Sequence, residues 1–145
     1  MPTSSRFAVA VHVLASLAIH KGQPVRSDVL AKSASTNAAV IRRLLSMLNN
    51  AQLTQSQLGQ GGGAMLAMPP EAISLLDVYK AVENEALFAF HRTHPDPACV
   101  VGRHIQTVLQ ETTLRALSAM ENELAQVTVA DVANDIRKLS QRKRA

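Results

Sequence analysis

One thiol and three imidazoles stand close together in the stretch HRTHPDPACVVGRH, residues 91–104. His91, His94, Cys99 and His104 are side chains of the kind that ligate zinc. Their spacing, H-x2-H-x4-C-x4-H, matches no recognised metal signature, so solvated imidazoles in a polar linker are the expected reading and a metal-sensing site the minor one. Cys99 immediately precedes a segment with helical periodicity. A thiol at a helix N-terminus has a lowered pKa and suits redox sensing, whereas an inert cysteine buried at a dimer interface is the plainer reading and the one preferred. Because Cys99 is the only cysteine, an intramolecular disulfide framework, an all-cysteine zinc site and a four-thiolate cluster are all excluded.

A second stretch, GQGGGAMLAMPP at residues 59–70, satisfies G-x-G-x-x-A through Gly59, Gly61 and Ala64. That pattern holds a pyrophosphate only when a strand precedes it and a helix follows at once, with its N–H groups aimed at the phosphates. Here Pro69 and Pro70 follow within a few residues, which forbids that helix. A phosphate loop of the G-K-[ST] kind is also excluded, because no lysine lies between Lys32 and Lys80. The glycines instead fit the tip of a β-hairpin whose turn needs positive φ. No pair of carboxylates or nucleophile–base spacing suggests catalysis. Glu83 and Glu85 read as a helix end and a linker, and the chain is not expected to be an enzyme.

The elements that must position these groups follow from hydrophobic period and capping signals. Ser4 or Ser5 caps a first helix in which Phe7, Ala10, Val11, Leu14 and Leu17 recur at helical spacing, closed by Lys21 and Gly22. A short helix fits Ser27 to Ser33. After the polar break SASTN a third runs from about Asn37 to Asn50, capped by Ser35 or Thr36. Val40, Ile41, Leu44 and Leu48 fall on one face of it, and Ala39, Arg42, Arg43 and Ser46 on the other. Two short helices joined by a tight polar turn, the second basic on its free face, make a helix-turn-helix pattern. Leu53–Ser56 and Ala64–Ala67 are expected strands flanking the glycines, which makes the hairpin a wing. S-L-L-D at Ser74–Asp77 is a capping box opening a fourth helix. From about Cys99 to Leu124 runs a helix of about 25 residues, some 40 Å long, too long for a small globule to cover. Its apolar stripes (Val101, Ile105, Val108 and Thr112; Leu109, Leu117 and Leu124) suggest a symmetry mate. Thr128 and Asp131 cap a last helix carrying Val132, Ile136 and Leu139, which ends in the basic tail RKLSQRKRA.

Charge is unevenly spread. Residues 1–68 hold six basic side chains against the single acid Asp28, while the whole 145-residue chain is only +4. A positive N-terminal module points to nucleic acid. Aromatics make up only 3% of the chain against 47% hydrophobic residues, so the core must be aliphatic and the fold mostly helical. The apolar run of the first helix is interrupted by His12 and Ser16, lacks a cationic leader, and at roughly a dozen residues is too short to span a bilayer. A cytoplasmic protein without membrane partners is expected.

SSRFAVAVHVLASLA in the first helix, STNAAVIRRLLSMLNNAQL in the recognition region, GQGGGAMLAMPPEAISLLDVYKAVE across the wing and fourth helix, and VVGRHIQTVL opening the long helix together resemble the Rrf2 family of bacterial winged-helix transcriptional regulators. The resemblance implies a mainly α fold: a winged helix-turn-helix with a two-stranded wing, joined to a long dimerisation helix and a C-terminal helix. It divides the chain into a DNA-binding domain (1–83), a linker (84–98), the dimerisation helix (99–125), and a C-terminal helix with its basic tail (126–145). It further implies a homodimer that binds a palindromic operator in double-stranded DNA, most simply as a repressor. Carried over by position, the DNA-binding residues are Ser4, Ser5 and Arg6 at the start of the first helix, Ser35, Thr36, Asn37 and Ala38 at the start of the recognition helix, the pair Arg42 and Arg43, and Gln60, Gly61 and Gly62 in the wing.

Several positions depart from the family pattern. The family often has Pro near Ala38, an aromatic near Ala64 and a basic residue near Met68, and here no charged residue lies between Ala51 and Met68. Groove contacts by this wing would rest on Gln57, Gln60 and backbone N–H groups. Cluster-binding members place three cysteines about six residues apart. Cys99 matches the last, and Thr93 and Leu87 stand at the other two positions, so no iron–sulfur cluster or other cofactor is expected. The alternative function is a metal- or thiol-responsive module that binds DNA weakly or not at all. A small-molecule effector pocket between the two modules is a further route by which a signal could enter.

Overall fold

The computed structural model describes residues 4–144; Met1–Thr3, at the start of the positive module, and Ala145, at the end of the basic tail, lie outside it. The order of elements is α1 (Arg6–Ile19), α2 (Ser27–Ser33), α3 (Ala38–Asn50), β1 (Thr54–Gln57), β2 (Gly63–Leu66), a 3-10 turn (Pro70–Ala72), α4 (Leu75–Val82), α5 (Val100–Ala125) and α6 (Val129–Arg144). β1 and β2 form the expected antiparallel wing, in a register that pairs Thr54 with Leu66 and Gln57 with Gly63. β1 lies one residue C-terminal, and β2 one residue N-terminal, of the segments expected from sequence. Val25 adds a one-residue bridge on the other edge of β2, with Val25 N–H donating to the Ala64 carbonyl at 3.0 Å and Ala64 N–H returning to the Val25 carbonyl at 2.8 Å.

The core is aliphatic, as the composition requires. Leu14, Leu17, Leu30, Ile41, Leu48, Ile73, Val78, Val82 and Val129 are all essentially inaccessible, and each contributes about 1.5–3 kcal/mol of apolar burial. Phe7 and Tyr79 form an edge-to-face pair, 6.0 Å between centroids, that locks α1 on α4.

Three helices end in the same unusual way. Lys21, Ser35 and Gln52 follow the C-caps of α1, α2 and α3 with φ of 50°, 54° and 64°, the left-handed exit usually given to glycine. In α3 the Gln52 N–H donates to the Asn49 carbonyl at 2.9 Å and the Leu53 N–H to the Leu48 carbonyl at 3.0 Å, while Leu48 and Leu53 are both buried. The closing glycine of α1 thus sits one residue late: Lys21 takes the left-handed position, and Gly22 follows at φ 82°. Because Gln52 is exposed, Gln52→Gly should relieve its backbone strain and raise stability by about 0.5–1 kcal/mol, read as a higher urea midpoint at unchanged slope.

The C-terminal helix returns to the N-terminal module. The capping box of α4 (Ser74 with Asp77, both bonds 3.0 Å) and that of α6 (Thr128 with Asp131, 2.9 and 3.1 Å) lie side by side. They are joined by Leu75 N–H to the Val127 carbonyl at 2.8 Å and Val129 N–H to the Ile73 carbonyl at 2.9 Å. From this clamp α6 runs across α1, burying Val129, Ala130 and Ala133. The face expected from Val132, Ile136 and Leu139 is not the one buried: Ile136 and Leu139 are exposed and Val132 only half-buried. Small alanines let the two helix backbones approach closely, so the tighter face wins over the greasier one. In contrast, no residue of α5 is buried within the protomer.

Candidate nucleic-acid interface

The free face of α3 is built by its own caps. Asn37 is the N-cap, its Oδ1 accepting from the Val40 N–H at 2.9 Å. Ser35 and Thr36, the caps expected from sequence, do not serve. Ser35 is consumed in closing α2 with positive φ, and the Thr36 N–H donates back to the Ala31 carbonyl at 2.9 Å. This closing turn sets α3 at the end of α2 and leaves Ala39, Arg42, Arg43 and Ser46 exposed along one side, while Ile41, Leu44, Leu45 and Leu48 face the core. Among the described residues no carboxylate lies within ion-pair distance of Arg42 or Arg43.

The wing rises from the C-terminal end of the same helix. The Asn49 amide bonds the hydroxyls of Thr54 and Ser56, tying β1 to α3. At the tip, Gly61 has φ 77°, and a Cβ on Gly62 would fall 2.1 Å from the Gln57 carbonyl oxygen, so only glycine fits there. Gln60 and Gly61 are exposed and Gly62 is half-buried. Sequence reasoning missed two residues. Asn49 gave no signal beyond its polarity. Leu58, 90% exposed at the tip, is an isolated apolar residue in an otherwise polar turn.

The third expected group lies at the start of α1. The Ser4 Oγ accepts from the Arg6 N–H at 3.2 Å and from Arg6 Nε at 3.1 Å, and Arg6 Nη2 pairs with Glu83 Oε2 at 3.4 Å. Arg6 therefore holds the end of α4 against α1, and its charge is partly matched within the fold. Ser5 is exposed and makes no side-chain cap bond.

His91, His94, Cys99 and His104 are all exposed, and among the described residues no three His, Cys, Asp or Glu side chains gather where a metal ion could sit. His91 and His94 lie in the irregular linker, Cys99 at the N-cap of α5 and His104 within α5. Burial of Cys99 is not supplied by its own protomer. The N–H groups of Gly102, chiefly, and Val101 at the start of α5 hold its thiol below the usual range. A thiol whose pKa is depressed is thiolate at lower pH, so alkylation by iodoacetamide should reach half its maximal rate below pH ~8.5, the ordinary cysteine value. An alkylation midpoint at or above that value would show that the helix start does not act on the sulfur.

Comparison with known proteins follows the same outline. A model of the Rrf2 family, described as an iron-dependent transcriptional regulator, matches residues 3–135. The chain is 42% identical over 134 residues to YwnA of Bacillus subtilis (strain 168), a candidate HTH-type transcriptional regulator, covering 92% of this chain and 98% of that one. It is similar to the crystal structure of a candidate DNA-binding protein (39% identity, TM-score 0.71, 88% of this chain and 98% of the other). It is also similar to a candidate transcriptional regulator from Lactobacillus plantarum (26% identity, TM-score 0.78, 97% of each chain). The residues present do not fit an iron centre: the protomer offers one thiol and no gathered set of ligands among the described residues. No helix among them is long and apolar enough to cross a membrane.

Proposed function

This chain belongs to the Rrf2 family of transcriptional regulators, and on that premise we propose that it binds a palindromic operator in double-stranded DNA as a homodimer and represses transcription there. The observation that carries the reading is the exposed basic side of α3, where Arg42 and Arg43 lack an ion-pair partner among the described residues, beside a wing anchored to the same helix through Asn49. A recognition helix reads base edges in the major groove while phosphate contacts fix its register. Ser35, Thr36, Asn37 and Ala38 stand at the N-terminal end of α3, where N–H groups and side chains meet phosphate or base edges. The start of α1 at Ser4 and Ser5 offers a second phosphate contact. Arg6 acts there through the position it gives Ser4 as well as through its charge.

Dimerisation is supported by α5, a helix of 26 residues with Val100, Val101, Val108, Leu109 and Leu114 exposed in the protomer. Pairing two such helices by a two-fold axis covers the stripe that holds Val101 and Val108 and sets two recognition helices for half-sites one turn of DNA apart. Occupancy of such a site overlapping a promoter represses by exclusion.

The wing contributes without charge. Gln57, Gln60, the N–H groups of Gly61 and Gly62, and the bare Leu58 side chain meet the minor groove, where apolar side chains are compatible with widened or kinked steps. A mobility-shift assay with the promoter region of its own gene should show binding that weakens steeply with salt. Leu58→Arg should steepen the salt dependence by about one released counterion per protomer. Absence of any shift at low salt, with the dimer intact, would sink the proposal.

A further inference from the structure

We propose that the cleft between the end of α1, strand β2 and helix α6 is a binding site for a small carboxylate with a compact apolar body. The cleft has a volume of about 400 Å³, within the range of small-molecule sites. Its floor is made of Ala18, Ala130 and Ala133, all buried, whose short side chains leave the space open. Leu66, Met68 and Pro70 form an apolar wall, and the rim carries Lys21, Arg137, Asn134 and Glu71.

The chemistry of the rim selects the ligand. Arg137 is half-buried and held in place: Nη1 donates to Asn134 Oδ1 at 3.0 Å, and Nη2 reaches the Ala18 carbonyl at 3.5 Å. A guanidinium has five N–H donors in a planar fork, so this anchoring fixes its direction and leaves donors over for a ligand. Neither Arg137 nor Lys21 has a carboxylate within ion-pair distance among the described residues. Two cations without an anion of their own, one pre-oriented, thus converge on an apolar hollow. That arrangement suits a monocarboxylate, taken by the fork as a planar two-oxygen acceptor with its hydrocarbon part on the alanine floor. Glu71, also lining the cleft, leaves a single net positive charge and disfavours a dianion. Two further clefts (Leu87 and Phe88 against Leu114 of α5; Val11, Ile19 and Ile136 between α1 and α6) are mainly apolar and lack such a rim.

Position gives the site its consequence. Leu66 belongs to the strand that carries the wing, and Arg137 to the helix that follows α5. A ligand seated there touches both the wing strand and the element leading from the dimer helix. That consequence rests on the DNA-binding reading above. The binding site itself does not, and its test is run without DNA so that the two fail separately.

Titration of the full-length, isotope-labelled protein with hexanoate, followed by amide chemical shifts, should give saturable shifts centred on Lys21, Gly22 and Asn134. Hexanamide, the neutral counterpart, should bind at least about tenfold more weakly, since a charge-assisted hydrogen bond is lost. Arg137→Met should weaken hexanoate about tenfold to a hundredfold and leave hexanamide unchanged. Lys21→Met, on an exposed turn, provides a second variant should the first perturb the packing of α6. Equal binding of the two probes, hexanoate shifts that never saturate, or indifference of hexanoate to both substitutions would overturn the proposal.

Discussion

Replacing Arg42 and Arg43 together by alanine should weaken operator binding by at least about a thousandfold while leaving the fold intact. The estimate takes about 1 kcal/mol or more for each arginine that meets a base or phosphate, counted over two half-sites. Both side chains are exposed on the face of α3 opposite Ile41, Leu44 and Leu48, so the thermal midpoint should hardly move. The single variants divide the roles. The arginine that reads a base relaxes sequence preference at one operator position when removed. The arginine that meets phosphate lowers affinity for all sequences alike and flattens the salt dependence. Fluorescence anisotropy on the operator and on scrambled DNA distinguishes them. Unchanged operator affinity in the double variant would remove α3 as the recognition helix.

Val108→Asp should convert the protein from dimer to monomer at micromolar concentration and cost about a hundredfold or more in operator affinity. Val108 is 61% exposed in the protomer and lies in the stripe with Val101, Ile105 and Thr112, in the N-terminal half of α5. In a two-fold interface each substitution occurs twice. Two carboxylates are therefore brought near one axis and stripped of water, which costs several kcal/mol. Operator affinity falls because the second half-site is no longer held at high effective concentration. α5 buries no side chain in its own protomer, so far-UV circular dichroism should stay close to that of the parent protein. Sedimentation velocity reads the outcome. A variant that still sediments as a dimer would place the interface elsewhere, and a parent protein that is monomeric at these concentrations would remove α5 as a dimer helix.

Legibility from sequence depended on the range of the interaction. The second helix at Ser27–Ser33, the capping boxes at Ser74 and Thr128, and the long helix after Cys99 are set by contacts within four residues, and the structure carries each of them. The hairpin was legible because Pro69 and Pro70 rule out a following helix whatever the rest of the chain does. The cap of α3 is Asn37 rather than Ser35 or Thr36 for a specific reason. Ser35, Thr36 and Asn37 are all capping types, and the choice among them depends on how α2 closes. Once Ser35 turns through positive φ to end α2, Asn37 is left at the N-cap.

Elsewhere the deciding partner lies far along the chain. Arg6 reads as a free cation near a helix start, yet Glu83, 77 residues away, pairs with it. Helix α6 is amphipathic by its Val, Ile and Leu positions, yet it buries Ala130 and Ala133 against α1. Close backbone approach and the clamp to α4 outweigh the larger side chains. That same choice creates the alanine-floored cleft and brings Arg137 to the Ala18 carbonyl.

The sequence by itself therefore determined the family, the order and type of the elements, the basic face of α3 and the neutrality of the wing, because each is written in local periodicity, caps and composition. Only the tertiary structure decided which cations remain free, where the terminal helix docks, that the linker histidines and Cys99 do not gather, and where a small ligand has room. Those depend on which distant surfaces meet, and in this chain they are set by burial of small side chains and pairing of remote charges that no local pattern encodes.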